Sequence, residues 1–188
     1  DAIRQPLKSM IVLLTDFGLE GPYTGQVEAV LHRHAPGVPV IKLFSDLPPF
    51  DIQAAAYLLP AYTRHLPPGT VCLCVVDPGV GTARKGIAMQ TARGDHLVGP
   101  DNGLLMPAAA RLGGITAVHL LEEPRYALPD ISSSFHGRDV FAPAGAHLAC
   151  GLDVGEQPEL VRRGRDELPG EELHGELARL PDIPPARD

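Results

Sequence analysis

Two spacings of apolar residues alternate along this chain. Residues 10–15 (MIVLLT), 38–44 (VPVIKLF) and 70–76 (TVCLCVV) are short, almost uninterrupted apolar runs, the pattern of strands covered on both faces. Between the first two, residues 23–34 (YTGQVEAVLHRH) set Val27, Val30 and Leu31 on one helical face, and Pro36-Gly37 ends that helix. Asp51 can cap a second helix through IQAAAYLL, with Pro60 as its kink or boundary. Residues 86–92 and 96–99 read as strands joined by a turn at Arg93-Gly94-Asp95. Asn102 or Asp101 can cap a helix in LLMPAAARL, residues 115–121 form a further strand, and SSSFHGRD (132–139) opens a helix running to Cys150. Strand and helix in alternation predict an α/β fold, a layered structure with a central, mostly parallel sheet flanked by helices. Ligands of such sheets collect at the carboxyl ends of the strands, which is where Asp16 and Asp77 fall.

The same pattern divides the chain. Residues 1–9 lack an apolar signal core and read as an N-terminal extension, and 10–150 form the α/β domain. Residues 151–172, rich in Gly, Pro and charge, read as a linker; 173–188 hold one weak strand that prolines close off. No apolar run reaches the roughly 18 residues of a membrane span, so no membrane partner is expected. Cys72 and Cys74 project to one face of their strand, and with Cys150 they read as buried free thiols of a reducing, cytoplasmic setting.

Composition narrows the function. Of 188 residues, 44% are apolar and 21% charged, which is ordinary for a globular domain. A formal charge of −7, with no block of Lys and Arg, excludes a nucleic-acid partner held by phosphate neutralisation. Aromatic residues at 5%, with no Trp, exclude a base-stacking platform. The expected partner is a small molecule.

Four loops concentrate the unusual residues: Thr15-Asp16-Phe17-Gly18, Asp77 to Arg84 (DPGVGTAR), Gly99 to Gly103 (GPDNG) and Ser132 to Asp139 (SSSFHGRD). Each alone has a plain reading: a strand end for Asp16, a turn for DPGVG, a helix cap for Asp101-Asn102, and a local ion pair for Arg138-Asp139. Asp16, Asp77 and Asp101 could instead gather a magnesium ion for phosphoryl chemistry, but no phosphate-binding loop accompanies them, and no pair of histidines has metal-ligand spacing. His136, in a polar loop entering a helix, has no such plain reading.

In this order and at these distances, TDFG, DPGVGT…R, GPDNG and SSSFHGRD resemble the S-adenosylmethionine hydroxide adenosyltransferase family, related to the chlorinating and fluorinating enzymes. The resemblance runs from about Met10 to Leu173. It implies hydrolysis of S-adenosylmethionine to adenosine and L-methionine by water or hydroxide attack at the ribose 5′ carbon, with no separate cofactor and no metal. It carries the hydroxide-handling roles to Asp77, Arg84 and His136, the ribose-holding acid to Asp16, an aromatic wall to Phe50, and a substrate contact to Asn102. It further implies a homotrimer, and a C-terminal β-barrel of which residues 173–188 are a truncated start. Halogenation is disfavoured: the halogenating relatives have no acid at the position of Asp77, and the fluorinating ones carry hydroxyl residues where this chain has Val80 and Gly137. The remaining alternative is a weakly active or inactive domain that binds S-adenosylmethionine and trimerises.

Overall fold

Residues 11–15 and 71–75 become strands buried on both faces, the most favourable use of nearly unbroken apolar runs. Residues 40–44, at the sheet edge, instead leave Ile41 and Lys42 exposed, so the expected cover on both faces does not hold there. The computed structural model describes residues 9–152. Its elements are β1 (Ile11–Thr15), α1 (Tyr23–His34), β2 (Val40–Phe44), α2 (Ile52–Thr63), β3 (Val71–Val75), β4 (Gly86–Thr91), β5 (His96–Pro100), α3 (Met106–Arg111), β6 (Ile115–Leu120) and α4 (Ala142–Ala149). A short 3₁₀ turn (Pro124–Tyr126) and a wide π-helical turn (Gly137–Phe141) lie between β6 and α4.

The six strands form one sheet in the order β2-β1-β3-β5-β4-β6. Strands β2, β1, β3 and β5 pair in parallel, and β4 alone runs against its neighbours β5 and β6. The mostly parallel expectation therefore holds, with the β4–β5 hairpin turning at Arg93-Gly94-Asp95 as its antiparallel exception. One face of the sheet (Ile11, Leu13, Leu73) packs against α1 and α4; the other (Val12, Leu14, Cys72, Cys74) packs against α2 and α3. At the end of β3 far from the site, the fully buried Asp95 carboxylate accepts from the Thr70 N–H at 3.2 Å and from the Arg93 guanidinium at 2.6 and 3.0 Å.

Three expectations need correction. Pro60 neither bounds nor ends α2, which runs on to Thr63: Ala55, Ala56, Leu59 and Thr63 are buried along one face across it, and the Thr63 hydroxyl donates to the Leu59 carbonyl at 2.8 Å. Burial of that face outweighs the one donor that proline lacks. Asn102 and Asp101 do not cap α3, which starts only at Met106 after Leu105; the Asn102 Oδ1 accepts from the Leu104 N–H at 3.2 Å, a turn before the helix. Cys150 is exposed, whereas Cys72 and Cys74 are buried free thiols as expected. Burial pushes the Cys72 thiol up to about 12 and Cys74 well above the ordinary thiol range, so both stay protonated and unreactive. The expected linker at 151–172 and the weak strand at 173–188 lie, but for residues 151 and 152, outside the described residues.

Topology fixes where a ligand can sit. From β1 the chain crosses to β2 on one side and returns to β3 on the other, so the loops after β1 and β3 diverge and leave a crevice at the carboxyl edge.

Candidate active site

Asp16 and Asp77 extend β1 and β3 into that crevice. Thr15 pairs with Val75, and the ladder closes with the Asp16 N–H on the Val75 carbonyl at 3.4 Å. The loop after β1 is pinned by Gly18 N–H to the Ser45 carbonyl (2.6 Å). Asp16 Oδ2 accepts from the Phe50 N–H at 2.9 Å. Phe50 takes a left-handed backbone, φ 58°, the only described non-glycine residue to do so. That conformation costs about 1–3 kcal/mol and aims its N–H at the carboxylate. Burial is the main reason that the Asp16 carboxyl sits above its ordinary value, and the nearby charge of Asp77 adds to it.

The loop after β3 doubles back on itself. Val80 N–H donates to the Asp77 carbonyl (3.3 Å), the Thr82 hydroxyl donates to the Gly79 carbonyl (2.6 Å), and the Arg84 N–H donates to that hydroxyl (3.3 Å). These bonds return Arg84 onto Asp77. Its Nε donates to Asp77 Oδ1 at 2.9 Å and its Nη2 to Oδ2, a two-pronged pair in which the acid side chain is 6% exposed and the arginine 9%. The guanidinium also lies over the Phe141 ring, 5.4 Å from its centre.

His136 arrives from a third segment. The buried Asp139 carboxylate accepts from the Ser132 N–H at 2.8 Å and from Arg138 at 2.6 and 3.2 Å, and Arg138 also reaches Gln26 of α1 at 3.1 Å. The local Arg138–Asp139 pair is present as expected, and it clamps the loop that carries His136. The Arg84 Nη2 stands 3.1 Å from His136 Nδ1. A guanidinium only donates, so Nδ1 accepts, and the proton of the neutral ring sits on Nε2. Burial first, then the Arg84 charge, holds the imidazole below its ordinary value, and Asp77 and Asp139 oppose this.

Two glycines permit this convergence. A Cβ on Gly81, whose φ is +78°, would lie 2.5 Å from the Ser133 carbonyl oxygen; one on Gly137 would lie 2.7 Å from the Tyr23 hydroxyl and 2.8 Å from the Phe17 ring.

Asp16, Phe50, Asp77 and His136 line one cleft of about 210 Å³, together with Phe17, Tyr23, Val75, Val80, Ser134, Phe135 and Gly137. Arg84 stands behind Asp77. Asn102 does not line this cleft: its amide donates to the Val76 carbonyl at 3.0 Å, steadying the residue before Asp77. Asp16, Asp77 and Asp101 do not assemble a magnesium site; among the described residues no three His, Cys, Asp or Glu side chains come together as one. Tyr23, which lines the cleft, is a functional candidate that the sequence pattern does not single out. Its ring lies 4.4 Å from Phe17 and 5.1 Å from Phe135, and its hydroxyl accepts from the Arg138 N–H at 3.2 Å. Burial pushes that phenol up to about 12. A tyrosine opening a helix just after a glycine loop was the available signal.

Two carboxylates, three clustered rings and an arginine-bound histidine define a cleft suited to a cationic ligand and a polarised water. A family model described as the SAM hydroxide adenosyltransferase N-terminal domain matches residues 11–157, and the chain belongs to that family. A Thermus thermophilus protein named (R)-S-adenosyl-L-methionine hydrolase is 50% identical over 149 residues, covering 76% of this chain and 57% of the relative. A protein of the same name from Salinispora arenicola is 44% identical over 154 residues, 82% of this chain and 58% of its own. A fluorinase from an Actinoplanes species is 23% identical over 169 residues, 78% of this chain and 56% of its own. A crystal structure of an uncharacterized conserved protein from Thermotoga maritima superposes with a TM-score of 0.74 at 40% identity, over 77% of this chain and 55% of that one. The chain thus spans a little over half the length of the curated relatives it matches.

Proposed function

We propose that this chain hydrolyses S-adenosylmethionine to adenosine and L-methionine, with Asp77, Arg84 and His136 handling the water and Asp16 and Phe50 holding the nucleoside. The observation that carries this reading is the unbroken contact from Asp77 through Arg84 to His136 beside Asp16 in one cleft. The relatives named (R)-S-adenosyl-L-methionine hydrolase support the same activity.

The chemistry asks little of a leaving-group acid. Sulfur departs as a neutral thioether with the electron pair of the C5′–S bond, while a water oxygen forms the new C5′–O bond and gives up one proton. The demand lies on the nucleophile. Asp77, although paired to Arg84, keeps lone pairs free to accept from a water, and the neutral His136 ring can pass the proton on. Arg84 stays charged and fixes both partners. One oxygen of Asp16 accepts from Phe50, which orients the carboxylate and leaves capacity for a pair of ribose hydroxyls. Asn102 acts through Val76, as a positioning residue for Asp77 rather than as a contact to substrate. An anionic acid at the nucleophile's place repels halide, which favours hydrolysis over halogenation.

We further propose that residues 10–150 form the catalytic α/β domain. No helix among the described residues is long and apolar enough to cross a membrane. We assign the protein to the cytoplasm, in keeping with its buried free thiols. We assign it a homotrimeric state as well, in keeping with the exposed Phe50 (72%) and Phe135 (42%) at the cleft, which a neighbouring subunit could cover. That open rim also favours the second reading, a domain that binds S-adenosylmethionine without turning it over.

The test is to incubate the purified chain with S-adenosylmethionine, with and without chloride, and separate the products. Equimolar adenosine and methionine in both conditions, lost in His136→Ala, is the expected result. A 5′-chloro product would give the case to halogenation. Binding without turnover on a folded chain would establish the second reading.

A further inference from the structure

Hydrolysis of a sulfonium releases a proton. The substrate carries a positive charge at sulfur and both products are neutral there, so each turnover must move one proton out of a cleft that substrate fills. This inference rests on the proposed hydrolysis and concerns where that proton goes.

Asp77 and Arg84 are nearly sealed from solvent, with side chains 6% and 9% exposed. His136 is half-buried. A second cleft of about 270 Å³ lies on the Arg84 side of the pair, with Ala83, Arg84, Lys85, Glu122, Ile131 and His136 in its lining. His136 is the one residue that lines both clefts: Asp77 faces only the front one and Arg84 only the back. The back cleft opens to water. At its lip stand Ile131, 53% exposed, and the ion pair of Lys85 and Glu122 at 2.5 Å, whose side chains are 56% and 49% exposed.

We infer that the back cleft is the exit for the proton released in hydrolysis, with His136 as the partition through which it passes. The balance is simple. Water loses one proton as its oxygen bonds C5′; the imidazole takes it at Nδ1, where the Arg84 hydrogen bond gives way, and hands that same proton to water in the back cleft, ending neutral with its Nε2 proton in place. Two local features make the ring a conduit rather than a store. Protonation at Nδ1 sets an N–H against the Arg84 N–H 3.1 Å away, and the Arg84 charge opposes a cationic ring. The groups facing the ring are Asp77 and Arg84 from the β3 loop and Asp139 from its own turn, with Lys85 and Glu122 across the back cleft. Asp77 and Asp139 help the ring accept the proton; Arg84 hastens its loss.

Ile131→Trp and Ala83→Trp add bulk at two residues that line the back cleft and not the front one. Expected is a kcat lower by about tenfold, a part of the roughly 10²–10⁴-fold that positioned proton transfer is worth, with KM for S-adenosylmethionine unchanged and the solvent deuterium isotope effect on kcat enlarged. A wild-type kcat and isotope effect in both folded variants overturns the exit route and leaves the hydrolysis intact. A second measurement needs no variant. With adenosine saturating the front cleft of the wild-type chain, diethyl pyrocarbonate should still label His136, located by peptide mass mapping. Full protection of His136 by adenosine overturns the proposal. A wild-type chain that forms no adenosine at all removes both the hydrolysis and its exit.

Discussion

Replacing Gly81 with alanine tests whether the two loops that meet at the site are held by close approach. The new Cβ would stand 2.5 Å from the Ser133 carbonyl oxygen, and ordinary contact begins near 3.4 Å, so the loops must part by about 0.5–1 Å. The Arg84–His136 contact of 3.1 Å then stretches beyond hydrogen-bond length. Alanine at φ +78° adds about 1–2 kcal/mol of backbone strain. A misplacement of that size near reacting groups costs on the order of 10²-fold in rate. The control is Gly94→Ala, at φ +91° with nothing within 4 Å of its Cβ, which carries the strain without the collision. The assay pairs thermal melting with adenosine formation from S-adenosylmethionine. Both variants should melt a few degrees early, by about 2–8 °C. Only Gly81→Ala should lose turnover. Equal turnover in the two variants would show that close packing of Gly81 on Ser133 does not set the geometry of Arg84 and His136.

Three further outcomes are expected. His136 titrates below the ordinary imidazole value of 6.5, so its neutral form is complete above that value and is lost as pH falls through the depressed one; the acid limb of turnover should lie below 6.5, and Arg84→Met should move the His136 midpoint upward by NMR, a downward shift contradicting the assigned cause. Asp95→Ala removes the buried acceptor of the Thr70 N–H and of Arg93, whose guanidinium keeps the Thr63 and Arg64 carbonyls, and should cost about 1–3 kcal/mol in chemical denaturation while the folded fraction keeps its rate. Gly137→Ser drives a side chain into Tyr23 and Phe17, and should destabilise by about 1–3 kcal/mol and raise KM, with no halogenated product in chloride.

β1 and β3 were legible because a five-residue run with at most one polar side chain has few other uses, and the acids that follow them were legible as the ends of those runs. Cys72 and Cys74 could be placed on one face from their spacing alone. Pro60 misled because a local rule about a missing donor carries no information on how well the flanking face is buried. Asn102 was visible as a polar residue before a helix, but its bond to Val76 depends on a strand 26 residues away. The Arg84–His136 contact spans 52 residues; family motifs, not periodicity, brought the two onto one list. Tyr23 escaped because its partners, Phe17 and Phe135, are recruited from two other segments and only folding sets the three rings together.

The pairing of Thr15 with Val75 makes the sheet a ruler. Thr15 and Val75 are 60 positions apart in the chain, yet the two roots from which Asp16 and Asp77 extend are held at the spacing of adjacent strands, about 4.8 Å. Either acid can therefore be exchanged without moving its mount. New chemistry at this crevice requires no new scaffold, only new side chains on an unchanged gauge. An engineer who wants a different nucleophile here should rewrite the end of β3 and leave the sheet alone.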